Sequence, residues 1–138
     1  MRTIALILFV LLGSGVRAQE ASRPLSPAEA LTKVNQKVTV AMNVMSTGGK
    51  TARFLNSESD FRTEKNFAVF IPNVALALFK KAGIEDPAEF YKDQSILATG
   101  NVEMGQSRPQ LRVENPNQIK IVTPGGKSDS VKRSTTAK

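Results

Sequence analysis

Apolar and polar residues alternate along several short stretches of the chain, a pattern typical of half-buried β-strands. In KVTVAMNVM, residues 37–45, Val38, Val40, Met42 and Val44 fall on one face. A Gly-Gly turn at 46–50 joins this strand to a second one at 51–56, which predicts a β-hairpin. Three more strands are predicted over residues 66–71, 95–103 and 110–122, the last interrupted at Asn115-Pro116.

Between the third and fourth strands the pattern changes to helical spacing. Pro72 cannot donate to a β ladder and ends the strand, Asn73 is a suitable N-cap, and Gly83 follows the last helical residue. The residues expected to face the core are Val74, Ala75, Leu78, Phe79 and Ala82. Two short helices are also predicted, one over residues 27–34 with a capping box that begins at Ser26, and one that begins at Asp86-Pro87.

Three strands, one helix and two strands follow one another in the order of a five-stranded OB-fold, the oligonucleotide/oligosaccharide-binding Greek-key barrel. The fold class predicted is therefore mainly β, with a capping helix between strands 3 and 4 and a short N-terminal helix. A helix at this point closes the open end of the barrel. A small sandwich would not need a helix there, and an SH3-like barrel lacks so long a helical insertion.

A further set of residues, spread over the segment from Pro27 to Val122, matches a known pattern. These residues are Glu29-Ala30, Val38, Val40, Phe54-Leu55-Asn56, 67–71, Tyr91, Ile96, Thr99-Gly100, Val102, Asn115-Pro116 and Gln118-Ile119. In them the chain resembles the small exported bacterial OB-fold domains of the nucleic-acid-binding type, although Asn35 stands where that pattern usually has Gly. The resemblance implies an OB-fold that binds nucleic acid.

The two ends of the chain differ from this middle part. Residues 1–18 have a basic start, an apolar run from Ile4 to Leu12 and a small-residue end at Ala18, which predicts a signal peptide and an exported protein, periplasmic or secreted. Nine apolar residues are too few to span a bilayer, so no stable membrane insertion is expected after cleavage. Residues 19–25 form a polar lead, 26–122 the OB-fold domain and 123–138 a flexible basic tail.

Composition limits the chemistry. The sequence contains no His and no Cys, so it offers no imidazole base, no thiolate nucleophile and no ordinary zinc site. No enzyme activity, metal or cofactor is predicted. Residues 46–51 end in Gly-Lys-Thr, but they lack the first glycine of a phosphate-binding loop and precede a strand instead of a helix. The formal net charge is +7, and +5 without Arg2 and Arg17, which permits a polyanionic ligand without requiring one.

OB-folds generally bind ligands on the face of strands 2 and 3 and between the strand 1–2 and strand 4–5 loops. Arg53, Leu55 and Phe70 are expected on that outward face. The residues predicted to contact nucleic acid are Lys50, Arg53, Phe70, Arg108 and Arg112. Simpler interpretations stand beside this one: Phe70 packs under the helix or the 57–65 loop, Arg108 shapes a turn, and Arg53 and Arg112 are solvated positions on an exposed sheet face.

The function predicted from the sequence is a non-enzymatic binding module for single-stranded DNA or RNA. The alternative is a structural or protein-interaction module that docks on an envelope protein. An oligosaccharide or another polyanion is the third candidate ligand.

Overall fold

A computed structural model describes residues 23–122. The predicted signal peptide and basic tail lie outside the described residues. In chain order the elements are α1 (Pro27–Ala30), β1 (Lys37–Asn43), β2 (Ser46–Gly48), β3 (Arg53–Asn56), β4 (Ala68–Ile71), a 3₁₀ turn (Asn73–Ala75), α2 (Leu76–Lys81), α3 (Pro87–Tyr91), β5 (Ser95–Met104), β6 (Pro109–Arg112), a second 3₁₀ turn (Pro116–Gln118) and β7 (Ile119–Ile121). None of these helices is long and apolar enough to cross a membrane.

The strands form one curled sheet in the order β1-β5-β6-β4-β3-β2, and β7 also pairs with β5. All pairs are antiparallel except β4 and β6, which are parallel. The two strands at the ends of this order are consecutive in the chain. Between them, the Val44 amide donates to Gln94 and the Met45 amide to Asn56, so the backbone leaves β5 and joins β3. A mainly β fold with a sheet curled in this way is consistent with an OB-fold.

The first predicted strand, residues 37–45, ends at Asn43 as β1, because the chain changes partner at Val44 and Met45. The last predicted strand is interrupted at Asn115-Pro116 as expected and forms β6 and β7, because Pro116 begins a 3₁₀ turn with a capping box made by Asn115 and Gln118. Residues 46–48, predicted as a turn, form β2 and pair with β3, and the turn of the hairpin begins at Gly49, which has φ +103°.

The segment between β4 and β5 is helical as predicted, but its contact face differs. Ala75 and Phe79 are buried, whereas Val74 is 80% exposed, Leu78 is 43% exposed and Ala82 is also exposed. The prediction that these last three residues face the core is wrong. So short a helix touches the sheet along one narrow line, and its first turn is 3₁₀, which has fewer residues per turn than the assumed α-helix.

Local helix-end signals are confirmed more closely. The Gly83 amide donates to Lys80 and the Ile84 amide to Phe79 at 3.0 and 2.9 Å, a Schellman motif with Gly83 at φ +88°. Ser26 and Glu29 form the predicted capping box, and Asp86 caps α3. Asn73 is an exception, because neither it nor Pro72 makes a side-chain cap bond at the start of the 3₁₀ turn. Leu25, from the predicted polar lead, pairs with β1 through Thr39 and Ala41.

Gly100 lies in β5, whose ladder with β1 is uninterrupted from Ser95 to Asn101. A Cβ at this position would lie 2.4 Å from the backbone carbonyl oxygen of Arg112. The close approach of β5 to the end of β6 therefore leaves no room for a side chain.

We expect Gly100→Ala to lower the free energy of unfolding by about 1–3 kcal/mol, because backbone must move to admit the methyl group. Gly48→Ala is the matched control, since a Cβ there meets nothing within 4 Å. It should change stability by no more than about 0.5 kcal/mol. Urea denaturation of both variants measures the difference, and equal midpoints would contradict the close-approach argument.

Tyr91 links α3 to the core. It is 2% exposed, and its ring lies edge-on to Phe79 and to Phe90 at centroid distances of 6.5 and 4.9 Å. Burial raises the pKa of Tyr91 to about 12 from its ordinary value of 10.0. The buried site favours the neutral phenol over the phenolate.

This shift predicts a pH dependence of stability with a definite sign. Above the ordinary pKa of 10.0 the unfolded chain releases the phenol proton while the folded chain keeps it, so stability falls as the pH rises toward about 12. Relative to Tyr91→Phe, the wild type should lose on the order of 2–3 kcal/mol over this window. The sequence has one Tyr and no Trp, so phenolate absorbance has a single source. A midpoint near the ordinary value in the folded protein would contradict the burial.

Candidate functional site

The outward face of the sheet carries one row of paired residues that crosses five strands and ends beside β2. Register places Phe54 opposite Phe70, Phe70 opposite Arg112, Arg112 opposite Asn101 and Asn101 opposite Lys37. Gly48 of β2 faces Phe54. We call this set, from Gly48 to Lys37, the outer row.

Two aromatic rings and a guanidinium form the centre of the outer row. The Phe54 and Phe70 ring centroids are 5.2 Å apart with planes inclined at 38°. The Arg112 guanidinium carbon lies over the Phe70 ring, 5.6 Å from its centroid, within the range of a cation–π interaction. Both Phe side chains are half-buried. Phe70 thus lies on the sheet face in contact with Phe54.

Strand β3 turns a different set of side chains outward than the sequence predicted. Leu55 is completely buried and pairs with Val69 on the inner face, whereas Phe54 points outward. Because side chains alternate along a strand, a shift of one residue exchanges the two faces. Phe54 and Leu55 are both apolar and adjacent, so the sequence pattern of β3 did not decide between them.

Arg53 is used inside the fold, at the end of β3. Its Nε donates to Asp86 Oδ1 at 2.9 Å, and its Nη1 donates to the carbonyls of Lys50 and Ala52 at 2.8 and 3.1 Å. The same Asp86 oxygen accepts the Ala88 amide and caps α3. Arg53 therefore fastens the β2–β3 turn to the start of α3 and is not part of the outer row.

Lys50 lies in that same turn and is exposed. In the part of the chain that the structure describes, no carboxylate is within ion-pair distance of Lys50 or Lys37. Lys37 ends the outer row on β1, and Lys50 follows Gly48 by two residues. These two lysines are cations that a ligand on this face could approach.

Arg108 connects two loops. Its Nη1 donates to the carbonyls of Phe61, at 3.0 Å, and Thr63, and its Nη2 donates to the carbonyl of Arg62 at 3.1 Å. These bonds tie the β5–β6 turn to the loop over residues 57–66. Arg108 therefore does more than shape its own turn, since it positions a neighbouring loop.

Arg112 is held by two carboxylates. Its Nε donates to Glu114 Oε1 at 2.7 Å and its Nη1 to Glu103 Oε1 at 3.3 Å. Glu103 Oε1 also accepts the side-chain amide of Gln110 at 3.2 Å. The hydrogen bond to Glu114 first, and then that to Glu103, raise the pKa of the guanidinium above its ordinary value. The centre of the row is thus aromatic with compensated charge.

The structure brings together only two of the five residues predicted for nucleic acid contact, Phe70 and Arg112. Lys50 lies near the end of the row, while Arg53 and Arg108 hold other parts of the fold. Phe54, Glu103 and Glu114 were not predicted as site residues. Phe54 and Glu103 could have been identified from the register of strands β3 to β6, but no local pattern in the sequence supplies that register.

The arrangement suits a flat, apolar group. Two aromatic faces lie side by side, and Gly48 leaves the space beside Phe54 open, since an added Cβ there would meet no atom within 4 Å. Among residues 23–122, no group of three or more acidic side chains is placed to hold a metal ion. The chemistry available on this face is stacking together with hydrogen bonding.

Comparison with known proteins yields structural similarity alone. No family model and no curated protein matches the chain. The asparaginyl-tRNA synthetase from Pyrococcus horikoshii matches over 73% of this chain with 15% identity and a TM-score of 0.50. This match covers only 23% of the synthetase.

A second similar structure is OBody AM1L10 bound to hen egg-white lysozyme. It matches over 74% of this chain and 95% of its own, with 18% identity and a TM-score of 0.51. At such identities a similarity concerns the fold only. Together with the curled sheet, these similarities support an OB-fold.

Proposed function

We propose that this chain is a binding module that takes single-stranded nucleic acid on the outer row. In this proposal the curled sheet is a five-stranded OB barrel with split first and last strands, and residues 73–81 cap its end. The observation that carries the proposal is the outward-facing pair Phe54–Phe70 beside Arg112. Unpaired bases expose flat apolar faces, and stacking one of them on an aromatic side chain is worth about 1–3 kcal/mol.

Charge supports this ligand to a limited degree. Arg53 is engaged with Asp86 and Arg112 with two glutamates, so Lys37 and Lys50 are the cations that would contact phosphates. Two phosphate contacts predict a modest salt dependence, with a log–log slope of about −1.4 for a single strand. Most of the binding energy would then come from the rings.

The proposal includes a non-enzymatic role and export. The absence of His and Cys from the sequence supports the first point, and the signal-peptide pattern of residues 1–18 supports the second. Cleavage after Ala18 leaves a mature chain that begins four residues before the described part of the fold.

A protein-interaction module is the second candidate function. It is favoured by the exposed apolar line along the helix between β4 and β5, formed by Val74 and Leu78 and continued by Ala82. The similar structure bound to lysozyme is a case of this kind of fold in complex with a protein. Binding there would leave the outer row free.

We expect Phe54→Leu and Phe70→Leu each to weaken binding of a fluorescent single-stranded oligonucleotide by about 5- to 150-fold, because leucine keeps apolar volume but has no aromatic face. Phe61→Leu is the matched control, since Phe61 is 61% exposed on the 57–66 loop and lies outside the row. Fluorescence anisotropy at constant salt measures the affinities.

Equal affinity of the wild type and both row variants would overturn the stacking site. A loss in Phe61→Leu as large as in the row variants would move the site to the loop. Circular dichroism melting of each variant separates a loss of ligand contact from a loss of folding.

Export predicts the N-terminus of the mature protein. Expression of the full sequence in a bacterial host should yield a chain that begins at Gln19, detected by intact mass in the periplasmic or culture fraction. Recovery of the uncleaved chain in the cytosolic fraction would contradict export without affecting the binding site.

A further inference from the structure

The carboxylates around Arg112 bear on which nucleic acids the outer row accepts, and this inference rests on the proposed function. We propose that Glu103 and Glu114 are specificity-determining residues that prevent Arg112 from binding phosphate. The row then selects strands whose bases are exposed and discriminates against duplexes, whose accessible surface is mainly phosphate backbone. The glutamates act through Arg112 and do not themselves bind the ligand.

The guanidinium of Arg112 already donates to two carboxylates. Arginine binds a phosphate most strongly with two parallel N–H groups, and the two available forks are Nε with Nη2 and Nη1 with Nη2. Glu114 occupies Nε at 2.7 Å and Glu103 occupies Nη1 at 3.3 Å. Glu114 therefore takes one member of the Nε–Nη2 fork, and Glu103 takes one of the two N–H groups of Nη1. A phosphate must displace Glu114 to use the first fork, and it competes with Glu103 at Nη1.

The sheet fixes the position of Glu103. This residue lies opposite Gln110 in the β5–β6 ladder, and the Gln110 side chain donates to the same Glu103 oxygen at 3.2 Å. Glu114 lies two residues beyond the end of β6, where its backbone amide donates to Gln118 Oε1 at 2.8 Å. The Arg112 and Glu103 side chains are about one-third exposed, at 37% and 35%, and Glu114 is 60% exposed.

The charges around Arg112 also disfavour a phosphate at this position. Two glutamates against one arginine leave a negative balance at the centre of the row, between Phe70 and Asn101. A phosphate backbone laid across this centre would meet repulsion, whereas a base stacked on the open side of Phe54 avoids it. The lysines at the two ends of the row remain for the backbone of a single strand.

The test replaces both carboxylates with neutral isosteres. Glu103→Gln/Glu114→Gln removes two charges and keeps hydrogen-bonding side chains at both positions. Glu85→Gln/Glu89→Gln is the matched control, because it removes the same charge from exposed residues with no ion pair to Arg112. The probes are a labelled strand of about 12 nucleotides, alone and annealed to its complement, titrated at about 50 and 200 mM NaCl.

Freeing Arg112 adds one phosphate contact, so the double variant should steepen the single-strand salt slope by about 0.7 and gain affinity severalfold at low salt. Its affinity for the duplex should rise by a larger factor, which lowers the ratio of single-strand to duplex affinity. The control variant should leave slope and ratio at the wild-type values.

The two proposals can fail separately. If the wild type binds the strand through Phe54 but the double variant shows the same salt slope and the same ratio of single-strand to duplex affinity, this inference is overturned and the proposed function stands. Equal gains in the control variant would overturn it too, since they would show a general charge effect. No binding of the strand by the wild type or by the double variant would overturn both proposals.

Discussion

The register of β3, β4 and β6 is the constraint on which the rest of the molecule depends. It sets Leu55, Val69 and Leu111 in one completely buried row and, one residue away, Phe54, Phe70 and Arg112 in an exposed or half-buried one. A slip of one residue would exchange the rows, exposing three large apolar side chains and burying a guanidinium. Burial of the inner row, worth about 1.5–3 kcal/mol for each side chain, therefore also holds the outer row in place.

Three arginines near the predicted ligand face hold parts of the fold together. Arg53 joins a turn to α3, Arg108 joins two loops, and Arg112 is held between glutamates beside Phe70. A formal net charge of +7 thus coexists with a sheet face at whose centre two glutamates surround one arginine. A ligand on this face would meet aromatic surface at the centre and the lysines only at the ends of the row, which favours strands with exposed bases.

Local sequence signals predicted local structure well. The capping box at Ser26 and the Schellman end at Gly83 each follow from a few neighbouring residues, and the structure confirms them. The length of the first helix does not, because it ends at Ala30 and not at residue 34. The alternation of strands and helices along the chain was also inferable, because the helical spacing interrupts the alternating pattern at one place.

Features that depend on tertiary context were not predictable. Phe54 and Leu55 are equally apolar, so only pairing with Val69 decides which one is buried. Val74 and Leu78 fit an apolar helix face but lie outside the line of contact through Ala75 and Phe79. Likewise, the need for Gly100 comes from the Arg112 carbonyl, which is distant in sequence, and the carboxylates on Arg112 come from two different segments.

Binding to the outer row can be mapped by backbone amide NMR of the ¹⁵N-labelled protein during titration with an unlabelled single-stranded oligonucleotide. We expect the largest chemical-shift changes at Gly48, Phe54, Phe70 and Arg112, with smaller changes toward Lys37 and Lys50. Changes confined to residues 73–82, or no changes at saturating oligonucleotide, would contradict binding to the outer row.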